Sequence, residues 1–362
     1  MIAWFNNLDA ATQGVIFTGV KVIAAFAVMM TIFAYTVLAE RRICAFIQGR
    51  VGPNRAGPFG LLQPAADGVK AFFKEEITPA HVRKALYLLA PMLALIPAVL
   101  NLAVIPFGST LGRQPMVIAN LNVGILYTFG IVSLGVYSIV LAGYAANSKY
   151  PFLGGIRSSA QLISYEIAMG MSVIPIFLFV GDLNLGSVIA AQAGTLSWLP
   201  AWLPVPNWFV WQSPMTFLAF GIFLVAAFAE TNRTPFDLPE AEQELAGGYN
   251  IEYSSIKFAM FFMGEYANMI LVSAMMVTLF FGGWTLPWFG LDQPATTLLL
   301  GVVHIGIFLA KLFAFLLVFI WVRWMWPRFR YDQLMDLGWR RFVPVALGNI
   351  MVTAVWLWWQ TK

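Results

Sequence analysis

Long apolar stretches alternate with short polar segments along this chain. A bilayer core of about 30 Å takes about 20 apolar residues per helical span. Eight stretches answer that description, at roughly 15–39, 86–106, 122–146, 161–181, 214–230, 256–282, 298–322 and 342–360. Each predicts a transmembrane helix, so the expected fold class is an all-α polytopic membrane protein whose residues 1–362 form a single membrane domain. The first stretch does not read as a cleavable signal, because nothing basic precedes it and no small-x-small site closes it.

One polar segment carries a different period. Over roughly 62–75, Leu62, Ala65, Ala66, Val69, Phe72 and Phe73 share one face, while Gln63, Asp67, Lys70 and Lys74 fall on another, with Pro64 in the first turn. This predicts an amphipathic helix, too short and too charged to span, lying in the headgroup plane. It reads either as one wall of an entrance for a lipid-soluble substrate or as a simple membrane-edge anchor.

Composition sharpens the membrane reading: 60% of the residues are hydrophobic and 10% charged, against about 25% charged in a soluble domain. The Lys and Arg residues set the orientation, because cytoplasmic loops are enriched in them. Of 21, eight lie in 41–84, two in 147–160, two in 231–257 and five in 323–341, all on one predicted side. The opposite side has Arg113 and Lys362, and Lys21 and Lys311 fall within spans. Long cytoplasmic loops and both termini on the periplasmic side follow. The net charge of +4 is this asymmetry, so it gives no reason to invoke a nucleic-acid partner.

The redox inventory is short. Cys44 is the single cysteine, and His81 and His304 lie far apart. Iron–sulfur clusters need about four Cys or Cys/His ligands, and a bis-His haem needs two facing rings. There is no GxxxxGK[ST] loop and no GxGxxG after a strand. Any electrons therefore arrive from other subunits, and no metal or covalently bound cofactor is expected in this chain. Cys44 and His304 read as packing residues.

The polar loops hold the chemistry. The first runs from Glu40-Arg41-Arg42 through QGRVGPNRAGPFGLLQPAADGVKAFFKEE (Gln48 to Glu76), where Gly49, Gly52, Gly57, Gly60, Pro53 and Pro58 force tight turns. The second, AETNRTPFDLPEAEQELAGGYNIEYSS (Ala229 to Ser255), sets six acids against Arg233 alone. On a helix Glu240 and Glu244 stand one turn apart and repel. Crowded, partly buried carboxylates can share and pass protons, although such a run also fits a solvated loop. Glu166, expected about one and a half turns inside the fourth span beside Tyr165, and Glu265 inside the sixth shift the balance, since an acid at a helix centre costs roughly 2.5–3.5 kcal/mol and usually faces a polar interior. Lys21 and Lys311 are possible charge partners, or they snorkel to the interface. Pro91, Pro97 and Pro175 can kink or break their helices, as in discontinuous helices that line ion paths. The third loop, RWMWPRFRYDQLMDLGWRRF (Arg323 to Phe342), suits packing against the first two, docking of a peripheral partner, or anchoring by the positive-inside rule.

GPNRAGPFGLLQPAADGVKAFFKE after Glu40-Arg41-Arg42, then ETNRTPFDLPEAEQELAGGYNIEY with EYAN at Glu265 to Asn268, and finally PRFRYDQLM resemble, in the same order, the H-subunit family of the proton-pumping NADH:quinone oxidoreductases (complex I). The resemblance runs from the end of the first span into the last. It implies eight transmembrane helices plus the amphipathic helix, with the second to sixth arranged somewhat like half of an antiporter-type channel. It implies a quinone substrate, ubiquinone by preference, with flavin and iron–sulfur clusters in partner subunits, neighbouring membrane subunits, and a bacterial inner membrane. By motif match it assigns Arg41, Gln48, Arg50, Phe236 and Asp237 to the quinone chamber. It assigns Glu40, Asp67, Tyr165, Glu166, Glu230, Arg233, Glu240, Glu242, Glu244, Glu252, Glu265 and Arg323 to an acidic path linking quinone chemistry to proton pumping. Membrane acids and broken helices alone also fit a stand-alone ion carrier, and a passive anchor for a peripheral enzyme is a third reading. Membrane subunits of energy-converting hydrogenases share the ancestry without the quinone.

Overall fold

Where apolar residues run unbroken the backbone has no water to bond, so it closes its hydrogen bonds within helices. The computed structural model describes residues 10–111, 114–196, 205–238, 247–288, 290–360 and 362. In chain order its helices are α1 (Ala10–Ile47), α2 (Gln63–Phe73), α3 (Lys84–Leu100), α4 (Gly124–Ala145), α5 (Lys149–Val180), α6 (Leu185–Ala191), α7 (Phe209–Gln212), α8 (Pro214–Glu230), α9 (Ser255–Phe280), α10 (Leu298–Met325), α11 (Tyr331–Asp336) and α12 (Val343–Gln360). A π-helical stretch, Leu337–Phe342, joins α11 to α12. A two-residue antiparallel ladder pairs β1 (Thr110–Leu111) with β2 (Gln114–Pro115).

Among the described residues seven helical runs are long and apolar enough to cross a membrane: α1, α3, α4, α5, α9, α10 and the run from α11 through α12. α8 is apolar and has 17 residues, about 25 Å at 1.5 Å per residue. The protein is therefore a helical, multi-pass membrane protein. Several helices outrun the apolar stretches that predict them. α1, with 38 residues, continues past Glu40 to Ile47, and α5 begins at Lys149 rather than near 161. Polar residues end an apolar stretch, but they do not end a helix whose further turns stand in water or headgroups. Glu166 consequently lies near the middle of the 32-residue α5, not close to its start. The prolines do not break their helices either: α3 contains Pro91 and Pro97, and α5 contains Pro175, within continuous helix.

α9 is the central column, with every residue from Met269 to Phe280 buried. Small residues let its neighbours close in, as expected where helices pack in lipid without a hydrophobic drive between them. A Cβ added at Gly264 would stand 2.7 Å from the Ala94 carbonyl oxygen of α3, and one at Gly143 of α4 would stand 2.6 Å from that of Pro151 in α5. α2 buries none of its residues and leaves Val69, Phe72 and Phe73 exposed.

The loops gather in two groups. At one end Arg83 N–H bonds Ala145, Ile77 N–H bonds the Ser254 hydroxyl, Lys257 pairs with Glu76, and Phe329 N–H bonds Pro235. At the other, Thr110 Oγ1 bonds the Ala295 carbonyl at 2.9 Å and Asn184 Nδ2 bonds Asn120 Oδ1 at 2.8 Å.

Candidate functional site

Four segments distant in sequence bring their charges together near the first group of loops. Glu40 of α1 is buried at 5% exposure. Arg233 Nη1 reaches its two oxygens at 3.2 and 3.4 Å, and the Tyr266 hydroxyl of α9 donates to Oε2 at 2.6 Å. Arg323 of α10 also pairs with Glu40 Oε1. Arg233 Nε lies 3.2 Å from Glu265 Oε1, and the same guanidinium stands 4.2 Å over the Tyr266 ring. Two carboxylates and two guanidinia balance. Buried ions need this matching, because removing one partner strands the others in low dielectric.

The acidic loop that follows α8 is held beside this cluster. Asp237 accepts from Arg328 at 2.8 Å. The Phe236 ring stacks on Phe329 at 5.4 Å between centroids and leans on Tyr165 at the same separation. Gln161 Nε2 donates to the carbonyls of Ala229 and Phe236 at 2.9 and 2.8 Å, and the Tyr165 hydroxyl donates to Leu334 at 3.0 Å. The Thr234–Pro235 peptide is cis. Loop, α5 and α11 thus share one junction.

Glu230, the last residue of α8, is also buried, and its Oε2 has no hydrogen-bond partner among the described residues. Glu166 of α5 lies close enough for the two carboxyls to repel. Glu166 is half-buried in the wall of a groove of about 1060 Å³ along α4 and α5, lined mostly by apolar side chains such as Phe129, Ile163 and Ile167. At the far end of the groove, bonds from the Ser187 hydroxyl and the Asn184 N–H hold Asp182 below the usual carboxylate range.

Comparison with known proteins decides the family. The NADH dehydrogenase family model matches residues 20–354. The chain is 47% identical over 339 residues to an NADH-quinone oxidoreductase H subunit of Cytophaga hutchinsonii, covering 92% of this chain and 94% of that one. It is 48% identical over 337 residues to an H subunit of the same enzyme from Geobacter metallireducens (92% and 94% covered) and 42% identical over 370 residues to that of Ralstonia nicotianae (99% and 98%). The chain belongs to the family of NADH-quinone oxidoreductase H subunits. All residues that the sequence motifs single out fall inside the stretch matched by the family model.

The remaining residues assigned through the H-subunit motifs lie toward the exposed edge of the same end. Arg41 pairs with Asp67 at 2.7 Å, Gln63 also donates to Asp67 at 3.0 Å, and Arg50 donates to Gln48 at 2.7 Å. The Glu252 carboxyl is 3.9 Å from His81 Nε2, and its backbone carbonyl accepts from Tyr87 at 2.7 Å. Tyr253 stacks on Tyr87 at 4.2 Å, and burial pushes its phenol above the ordinary range. Glu240, Glu242 and Glu244 lie outside the described residues.

The expected lysine partners are elsewhere. Lys311 Nζ donates to the carbonyls of Phe281, Gly283 and Thr285 at 2.7–2.9 Å, and Lys21 to those of Val117 and Pro115 at 2.9 and 3.3 Å. Both ammonium groups have snorkelled to loop backbone at the end away from Glu40, because open turns there offer carbonyls that helices do not. His304 bonds Ser109 at 2.7 Å and packs on Trp284, a structural role. Sequence reasoning did not single out Tyr266, Gln161 or Arg328. Tyr266 and Gln161 are hydrogen-bonding side chains beside Glu265 and in the run before Glu166, and that adjacency was the available signal.

Proposed function

We propose that this chain is the membrane subunit of a proton-translocating NADH:quinone oxidoreductase, in which it forms part of the quinone chamber and passes the charge of quinone reduction to buried carboxylates. Arg41, Gln48, Arg50, Phe236 and Asp237 line the chamber. Glu40, Arg233, Glu265 and Arg323 form the fixed charge beside it, and Tyr165, Glu166 and Glu230, with Asp67, Glu252 and the acids at 240, 242 and 244, form the coupling path. The observation that carries the reading is the position of Glu230. It is buried, free of ion pairing among the described residues, seven residues before Asp237 and within electrostatic reach of Glu166 in the membrane groove.

The chemistry fits that arrangement. Reducing a quinone to a quinol takes two electrons and two protons, and negative charge appears on its oxygens before they are protonated. In low dielectric that charge acts strongly on nearby titratable groups, and coupled carboxyls respond as a set. Electrons come from partner subunits with flavin and iron–sulfur centres, in keeping with the relatives' names, which are those of NADH-quinone oxidoreductase H subunits. We further propose that α8 completes a set of eight spans, that the Lys- and Arg-rich loops face the cytoplasm and both termini the periplasm of a bacterial inner membrane, and that ubiquinone is the substrate.

The test is NADH-dependent quinone reduction by the assembly that co-purifies with the tagged chain in mild detergent. Inhibitor-sensitive activity, with flavin and iron–sulfur partners, is the expected result. A chain that purifies alone and transports ions in liposomes overturns the proposal, and so do partners that evolve hydrogen.

A further inference from the structure

Beside the loop junction a pocket of about 420 Å³ opens, walled by Arg157 of α5, Leu238 and the run from Arg328 to Asp332. Two of its three guanidinia are matched: Arg328 pairs with Asp237 at 2.8 Å, and Arg330 bonds Asp332 at 2.9 and 3.1 Å. Arg157 is exposed and makes no ion pair among the described residues. Among the described residues, three cations against two carboxylates leave the pocket with one net positive charge. Tyr331, also exposed, adds a hydroxyl donor at the rim.

The same helix supplies an apolar continuation. Leu153, Ile156, Ile163, Ile167, Ile174 and Leu178 of α5 are all at least 39% exposed and recur at helical steps, so they form one stripe along the helix, with Arg157 at its edge one turn after Leu153. Ile163, Ile167, Ile174 and Leu178 also line the large groove that contains Glu166. Exposed Trp324 and Trp326, on the segment that carries Arg328, mark the headgroup level where tryptophan is enriched. A cationic pocket at headgroup level beside a long apolar stripe fits a ligand with one negative charge and attached hydrocarbon chains. A soluble anion or a protein carboxylate makes no use of the stripe.

We propose that this pocket binds the phosphodiester of a monoanionic phospholipid, with its acyl chains lying along the α5 stripe. Arg157 supplies the unpaired guanidinium, whose planar fork suits two phosphate oxygens, while Arg328 and Arg330 stay neutralised by their own carboxylates.

The test uses the assembly that co-purifies with the tagged chain, stripped of lipid and titrated with phosphatidylglycerol, phosphatidylcholine or inorganic phosphate, with bound lipid counted by native mass spectrometry. We expect one phosphatidylglycerol retained per chain, at least tenfold weaker binding in Arg157→Glu, and most binding kept in Arg157→Lys. Arg340→Ala, which removes an exposed cation outside the pocket, should change binding less than twofold. Size-exclusion profiles establish that each variant remains assembled. Unchanged binding in Arg157→Glu overturns the proposal, as does equal loss in Arg340→Ala or equal retention of phosphatidylcholine. Displacement by inorganic phosphate at equal concentration would show that the head alone is recognised. Binding by the isolated full chain but not by the assembly would show that a partner subunit's acid fills the pocket. Either of these results also removes the lipid assignment.

Discussion

Two groups of buried acids face opposite circumstances. Glu40 and Glu265 share the guanidinium of Arg233, and Glu40 takes a second guanidinium and a phenol as well. Among the described residues neither Glu166 nor Glu230 makes an ion pair, and the charge of Glu166 acts on Glu230. Protonating an acid of the first group breaks a pair in low dielectric. Protonating one of the second breaks nothing and relieves repulsion. The first group is therefore suited to hold its charge and the geometry of four segments, the second to gain and lose a proton. The distinction rests on where cations were placed, because Glu40, Glu265 and Glu230 are alike buried, and only Glu166 is half-open to the groove.

The hardest strain on this contrast is Arg233→Ala. It leaves Glu40 and Glu265 without their shared cation, and breaking a buried pair from one side costs about 3–5 kcal/mol. A large fall in the melting temperature of the purified assembly, or loss of the chain from it, is the expected outcome, with Arg233→Lys in between. A variant as stable as the parent would mean that the cluster is no scaffold.

Next in size comes Lys311→Met, at the far end of the protein. It removes one ammonium that donates to three turn carbonyls, a loss of about 1–3 kcal/mol in all where the turns can find water instead. Melting should fall while quinone reduction by the surviving assembly keeps its rate. A specific loss of turnover instead would tie this end to the chemistry.

Glu230→Gln should reverse that pattern. Stability should hold, since no ion pair is lost, while coupled turnover drops about tenfold, equivalent to about 1.4 kcal/mol of barrier. Proton uptake by inverted vesicles per NADH oxidised reports the coupling directly. Glu166→Gln should act through the same step, so that the double variant is little worse than either single one, a non-additivity expected of groups that interact. Fully additive losses would separate the two acids and dissolve the pair.

How much of this was legible beforehand divides along physical lines. That the chain would form several helices long and apolar enough to cross a membrane could be read because bilayer thickness sets the length of an apolar run. Helix ends could not, as α1 and α5 show, because a helix continues into polar surroundings wherever its own bonds allow. Glu40, Arg233, Glu265 and Arg323 could each be named from motifs, yet their convergence could not. The contacts of Glu40 with Arg233, Tyr266 and Arg323 span 193, 226 and 283 residues of sequence, and helix packing alone decides them. The place of Lys311 is decided in the same way: a cation within a span can pair with an acid or snorkel to the interface, and only the turn that offers it carbonyls selects the second.

The mildest probe addresses the exposed edge, where the contrast between fixed and mobile charge should fade. Arg41 and Asp67 form an ion pair with 48% and 35% of their side chains exposed. A pair that open to water contributes about 0.2–1 kcal/mol and weakens with salt, so Arg41→Ala should leave melting almost unchanged. If Arg41 lines the quinone chamber, its loss should instead raise the apparent KM for quinone roughly threefold, about 0.6 kcal/mol, at unchanged kcat, the pattern of lost uniform binding. A fall in kcat with constant KM would place Arg41 with the buried cluster, and the boundary between scaffold and chamber would then run outside α1.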